Sequence, residues 1–175
     1  MSRQSSCEQL GRECITPRLN ACPAGDEDRL RHIRLRALRD APEAFETTFA
    51  EAKARPFENW QQQLEQLATF VAVADDLDIG MARGARHDVR DDTAYLISMW
   101  VASEGRRRGV GSALIEAVAA WAREQGFKRL LLDVAEGNAA ALALYTEAGF
   151  VATGVVGTLP VPRQHIREIQ MALTL

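Results

Sequence analysis

No stretch of this sequence has the roughly 18 consecutive apolar residues that crossing a bilayer requires, and Met1 to Gln9 lack the apolar centre of a secretory leader. A soluble, cytoplasmic protein without a membrane partner is expected. Positive charge is not in excess either: 21 Lys and Arg stand against 24 Asp and Glu, a formal charge of -3 with a pI near 5.7. That balance gives no overall attraction to nucleic acid, although a local basic cluster can still hold a phosphate-bearing ligand. Cysteine is sparse. Cys7, Cys14 and Cys22 are odd in number and lack C-x-x-C spacing, and the nearest histidine, His32, falls inside a predicted helix; unpaired thiols and no metal site are expected. Internal repeats and low-complexity tracts are absent.

What is present suits one domain: 175 residues, 47% apolar against 26% charged. Residues 1–14 are polar and aperiodic and read as an extension, which leaves a homodimer packed through that tail open; the domain is taken as residues 15–175. A weak strand over Ile15 to Cys22 precedes the turn Pro23-Ala24-Gly25. Asp26 can cap a helix to about Asp40 with Leu30, Ile33 and Ala37 on one face. A second helix carries Phe57, Trp60, Leu64 and Leu67, with Pro56 at its first position. Thr69 to Ala74 and Ile79 to Arg83 read as a hairpin turned by Asp75 to Asp78. A stronger strand, Thr93 to Val101, leads into a helix from Gly109 to about Gln125, striped by Val110, Leu114, Ala117, Val118 and Trp121 and stopped by Gly126. Arg129 to Val134 is a buried strand, Asn138 starts a shorter helix ending at Gly149, and two strands follow, about Phe150 to Val156 and Ile166 to Leu173. This alternation predicts an α/β fold, a three-layer α/β/α sandwich around one mixed sheet.

Chemistry concentrates in Arg106-Arg107-Arg108-Gly109-Val110-Gly111-Ser112, where a strand hands over to a helix. Glycines there let backbone N–H groups approach an anion, and the helix start adds about half a positive charge. A pyrophosphate suits such a site. A P-loop would need Lys followed by Ser or Thr after its second glycine, and a dinucleotide fingerprint a third glycine, so neither fits.

Arg106-x-x-Gly109-x-Gly111 resembles the coenzyme A signature of the GCN5-related N-acetyltransferases. Its company is in register: Met99-Trp100-Val101 before it, Asn138 after the next strand, then Leu144-Tyr145 and Gly149-Phe150. The resemblance extends more loosely from about Ile15 to Leu173, and implies the acyl-CoA N-acyltransferase fold with a mixed, mostly antiparallel sheet. It further implies that Met99, Trp100 and Val101 meet the pantetheine arm, and that Arg106, Arg107, Arg108, Gly109, Val110, Gly111 and Ser112 hold the pyrophosphate. Asn138 would bind the arm, and Tyr145 would stand near the thioester sulfur. Asn138 and Tyr145, seven apart, fall on one face of one helix, so one ligand could touch both.

The implied function is an acetyl-CoA-dependent N-acetyltransferase acting on a primary amine by direct attack, with Tyr145 as general acid. The alternative is a catalytically silent acyl-CoA-binding or sensing module on the same fold. The base is open: some relatives place a glutamate on the strand that here offers only Thr93, Tyr95 and Ser98, leaving Glu46, Glu51, Glu104, Asp133 or a water relay. The acceptor should lie between the N-terminal helices and the last loop, near His165. Phe45, Phe49 and Trp60 read either as its lining or as core, and Trp100 either as core or as a substrate wall. Arg29, Arg31, Arg34, Arg36 and Arg39 read as a solvated helix face balanced by Asp26, Glu27, Asp28 and Asp40.

Overall fold

Residues 17–175 are described by the structure, a computed structural model. The expectations for residues 1–14, the boundary at Ile15, and Cys7 and Cys14 lie outside them.

The order is β1 (Arg18–Ala21), α1 (Glu27–Asp40), α2 (Phe49–Ala54), α3 (Phe57–Gln66), β2 (Ala68–Ala74), β3 (Leu77–Arg86), β4 (Thr93–Val101), α4 (Val110–Glu124), β5 (Arg129–Ala135), α5 (Ala139–Glu147), β6 (Val151–Thr158) and β7 (Arg167–Thr174). One seven-stranded sheet runs β1-β2-β3-β4-β5-β7-β6, and only the β4–β5 pair is parallel. The α/β sandwich is therefore as expected. Helix α4, the crossover between the parallel strands, covers one face with Leu114 and Val118 against Leu130, Leu132, Phe150 and Met171. Helices α1 and α3 cover part of the other face, where Leu30, Ile33 and Trp60 meet Val71, Met81 and Trp100. Among the described residues no helix is long and apolar enough to cross a membrane.

Several local expectations change. The β2–β3 turn uses two residues, not four: Asp75 and Asp76 both take positive φ (49° and 60°), the twist a two-residue hairpin needs and one that aspartate tolerates. Asp26 occupies the cap position of α1 without a side-chain bond, and Glu27 accepts from Gly25 N–H instead, at 3.0 Å. Pro56 precedes α3 rather than opening it, and Phe57 is exposed. Helix α2 is an element that periodicity alone does not reveal, because six residues are too few to show a period. Its signal is Thr48-x-x-Glu51, a capping box formed in full. On α4 the stripe shifts: Ala122 is buried, while Ala117 and Trp121 are only partly so. The Trp121 ring lies over Gly84, where an added Cβ would sit 2.4 Å from it.

Candidate functional site

The sheet splits at its only parallel pair. Strands β4 and β5 pair through Thr93, Ala94 and Tyr95 against Arg129, Leu130 and Leu131, and then diverge although both continue. Ser98 sits at a bulge in β4 with φ 56°, where the register against β3 shifts. From Leu96 onward the edge of β4 toward β5 has no strand partner, so its backbone groups face an opening inside the sheet. Of the three residues expected there, Met99 and Val101 pack partly buried on the α4 side, whereas Trp100 is buried on the α1 side. Trp100 is core, and it also lines a recess of about 350 Å³ with Arg36, Arg39, Asp40, Ser103 and Glu104.

The loop after β4 delivers bare N–H groups to the start of α4. Arg107 and Gly109 take positive φ (58° and 77°), which curls the chain. The N–H groups of Arg107, Arg108, Gly109, Val110, Gly111 and Ser112 donate to no backbone carbonyl among the described residues. The three arginines divide. Arg106 donates through Nη2 to Asp40 Oδ2 at 2.6 Å and through Nε to the Val101 carbonyl at 3.0 Å. Arg107 and Arg108 make no ion pair among the described residues. The two glycines also divide. Gly109 meets the turn's need for positive φ, with open space around a would-be Cβ. Gly111 lies against another helix, where a Cβ would stand 2.7 Å from Leu144 Cδ2 of α5.

Asn138 caps α5, its Oδ1 accepting from Ala141 N–H at 3.2 Å. It also lines a cleft of about 870 Å³ bounded by Asp40 to Ala44, Ala135 to Asn138 and His165 to Arg167. Tyr145 is not on that wall. Its ring is buried against Phe150, centroids 5.8 Å apart, and burial pushes its hydroxyl pKa up, so it stays protonated.

The cleft lies between the end of α1 and the last loop, where an acceptor was expected, but aromatic side chains do not line it. Trp60 and Phe45 are buried in the α1–α3 core and Phe49 packs on it. The walls are held together by Arg163, whose Nη1 donates to the carbonyls of Pro42 (2.7 Å) and Phe45 (2.8 Å) and whose Nη2 donates to that of Glu46 (2.5 Å). The candidate bases separate by surroundings. Glu51 caps α2, and Glu104 pairs with Arg36. Asp133 of β5 and Glu168 of β7 make no ion pair among the described residues; both feel Glu46, and Glu168 also feels Asp133. Desolvation raises both carboxyl pKa values first; for Asp133 a hydrogen bond with Gln170 opposes it and Glu46 adds to it, and for Glu168 Asp133 and then Glu46 add to it while Arg163 opposes it. Glu168 is absent from the sequence candidates, yet the period of two along Arg167-Glu168-Ile169-Gln170 puts it on one face with Gln170, whose Nε2 lies 3.4 Å from the Tyr95 hydroxyl.

A raised carboxyl pKa means that the folded state binds the proton more readily than the unfolded chain. Stability from these groups is thus greatest at low pH and falls as pH rises from the unfolded value through the folded one. Glu168→Gln, which removes the charge, should raise the melting temperature at neutral pH and flatten its decline with pH. An unchanged pH profile of melting would show that Glu168 is ordinarily solvated.

Residues 31–150 match the model of the Acetyltransferase (GNAT) family. Over 88 residues the chain is 34% identical to human N-acetyltransferase 8, covering 49% of this chain and 39% of that one. Over 97 residues it is 31% identical to the aminoglycoside N(6')-acetyltransferase type 1 of Salmonella typhimurium, covering 52% of this chain and 67% of that one. The chain thus spans well under half the length of the human relative. In fold it is similar to yncA from Salmonella typhimurium, solved with its cofactor acetyl-CoA: TM-score 0.73 at 17% identity, over 91% of this chain and 94% of that one.

Proposed function

The chain belongs to the GNAT family of acetyltransferases, and on that premise we propose that it moves an acetyl group from acetyl-CoA to a primary amine by direct attack. The observation that carries this reading is six N–H groups without a backbone partner and two arginines without an ion pair, among the described residues, at the start of α4, in the loop that follows the open edge of β4. A pyrophosphate needs convergent donors and positive charge, which Arg107 to Ser112 supply together with the start of α4. Arg106 holds the loop to α1 through Asp40 rather than contributing a free charge. The amide-bearing pantetheine arm suits the unpaired edge of β4, near Met99 to Val101, with the Asn138 carboxamide at its flank.

In the reaction the amine nitrogen attacks the thioester carbonyl carbon, the carbon–sulfur bond breaks, and the nitrogen gives up a proton. A free N–H of β4 stabilises the developing oxyanion. Tyr145, a phenol protonated at neutral pH, gives its proton to the leaving sulfur. Glu168 and Asp133 do not line the cleft but stand on β7 and β5, whose Arg167 and Ala135 ends do; with raised pKa values and no ion pair among the described residues, they are suited to attract an ammonium group and to take its proton, directly or through water. The buried free thiol of Cys22 fits a reducing compartment, the cytoplasm.

Acetyl-CoA should raise the melting temperature, because a ligand bound only by the native state adds RT ln(1 + [L]/Kd), about 2.7 kcal/mol at a hundredfold excess over Kd. Melting unmoved by near-millimolar acetyl-CoA or CoA would remove the coenzyme reading. A panel of amines with acetyl-CoA, followed by mass spectrometry of released CoA, tests transfer. Thermal stabilisation with no turnover across that panel would favour a silent acyl-CoA-binding module, in line with a β4 that carries no carboxylate.

A further inference from the structure

Beneath α1 and α3, on the sheet face away from α4, three guanidinium groups gather with no carboxylate among them. Arg34 from α1 and Arg83 from β3 are each only 4% exposed. Arg83 donates through Nη1 to Gln63 Oε1 and through Nη2 to Ser98 Oγ, both at 2.7 Å, but its Nε has no partner. Arg34 lies over the Phe45 ring, 4.4 Å from its centroid, and neither its Nε nor its Nη1 has a partner. Arg55, half-buried, donates to Thr47 Oγ1 at 3.2 Å and forms the outer side of the cluster. None of the three takes part in an ion pair among the described residues, and Glu51, which feels Arg55, is occupied by the α2 cap.

This departs from the solvated face expected for the arginines of α1, and physical chemistry does not leave it so. A buried cation without a counter-charge is strongly unfavourable, and bringing further like charges beside it adds repulsion. The molecule registers the cost: burial first, then the neighbouring arginines, push Arg83 down to about 9 and Arg34 to about 10. Water can fill an orphaned hydrogen bond but supplies no charge. Neutralisation requires an anion, and the donors without partners on Arg34 and Arg83 require an acceptor.

We propose that Arg34, Arg55 and Arg83 form a binding site for one small anion, a carboxylate or an inorganic ion of similar size, between α1, α3 and the bulge of β4. Arg55 and Thr47 are its rim. Through Ser98 the site reaches the point where β4 leaves β5, so the carboxylate of an acceptor held at that split is one source of the anion. A free ion is the other.

The test is thermal unfolding of the full chain without coenzyme, dialysed into gluconate, a bulky, strongly hydrated anion, which is then replaced by acetate or chloride at constant ionic strength. The midpoint should rise and saturate. Arg55→Gln, which removes one charged donor from a half-exposed position, should raise the anion concentration for half of that rise by about tenfold. Arg34→Met and Arg83→Met should melt higher than the parent in gluconate and lose the response. Should either Met variant fail to fold, Arg55→Gln carries the result. No response to acetate or chloride, or an equal response in parent and Arg55→Gln, overturns the site. The source is separated by acetylation of an amino acid against its amide, an arm that rests on the proposed activity while the melting arm does not. A KM raised by Arg55→Gln for the amino acid alone assigns the anion to the acceptor; equal KM values beside an intact melting response assign it to a free ion.

Discussion

Tyr145→Phe should lower kcat by about 10² to 10⁴ while the Kd for acetyl-CoA stays essentially unchanged, the span expected for loss of a general acid. The ring is held by burial and by its tilted contact with Phe150, and phenylalanine keeps both. The Tyr145 hydroxyl donates to no group among the described residues, so removing it breaks no internal hydrogen bond. The variant should therefore melt at or above the parent temperature, and this separates a chemical role from a structural one. Burial matters for the chemistry too. A phenol is protonated at neutral pH in any case, and burial, which pushes its pKa up, makes it a weaker acid, so the rate loss should fall toward the lower end of that span. Turnover must be measured where the chemical step limits the rate. An unchanged kcat under that condition takes Tyr145 out of the mechanism, and a lowered melting temperature would mean the hydroxyl is structural.

What could be read in the sequence depended on how local its cause is. Strand β4 runs over Thr93–Val101, the residues its pattern marks, and Gly126 takes the left-handed conformation that ends α4, because both follow from neighbours along the chain. The loop from Arg106 to Ser112, proposed above to hold the coenzyme, was legible for the same reason: its glycines and arginines are contiguous. Arg34 shows the limit. Leu30, Ala37 and Leu38, four before and three and four after it, put Arg34 on the buried face of α1, but only the elements that pack on that face, which bring Phe45 and no carboxylate to it among the described residues, make it an unpaired cation. Arg106 likewise looks like its two successors until the end of α1 brings Asp40 to it, and Trp100 donates to the same Asp40 Oδ2 at 2.9 Å. Glu168 acquires its raised pKa from burial first and then from Asp133 and Glu46, all of them set by other parts of the chain. Local conformation was visible, and the electrostatic identity of a side chain was not, because charge is set by partners that the fold chooses.

Gly111→Val should weaken acetyl-CoA binding by about tenfold or more, and the cause should be displaced helix packing, not a side chain in the space of the phosphate. A Cβ at position 111 points at α5 and meets Leu144 Cδ2 at 2.7 Å, with Met99 Cε at 3.5 Å; valine adds two more methyl groups to that contact. Overpacking of this kind costs about 1–3 kcal/mol, and a chain of this length loses about 2–4 °C of melting temperature per kcal/mol. Pushing α4 from α5 moves the N–H groups at its start away from their common focus, and each charge-assisted bond lost is worth about 1.5–3 kcal/mol, tenfold or more in Kd. Because Leu144 is only partly buried, shortening it can relieve the collision. Gly111→Val with Leu144→Ala should recover most of both the melting temperature and the coenzyme affinity measured by calorimetry. Gly109→Val, whose cost is the positive φ of 77° with open space around it, should gain nothing from Leu144→Ala. If the double variant binds no better than Gly111→Val alone, the side chain collides with the ligand itself, and the phosphates lie deeper against α4 than the free N–H groups suggest.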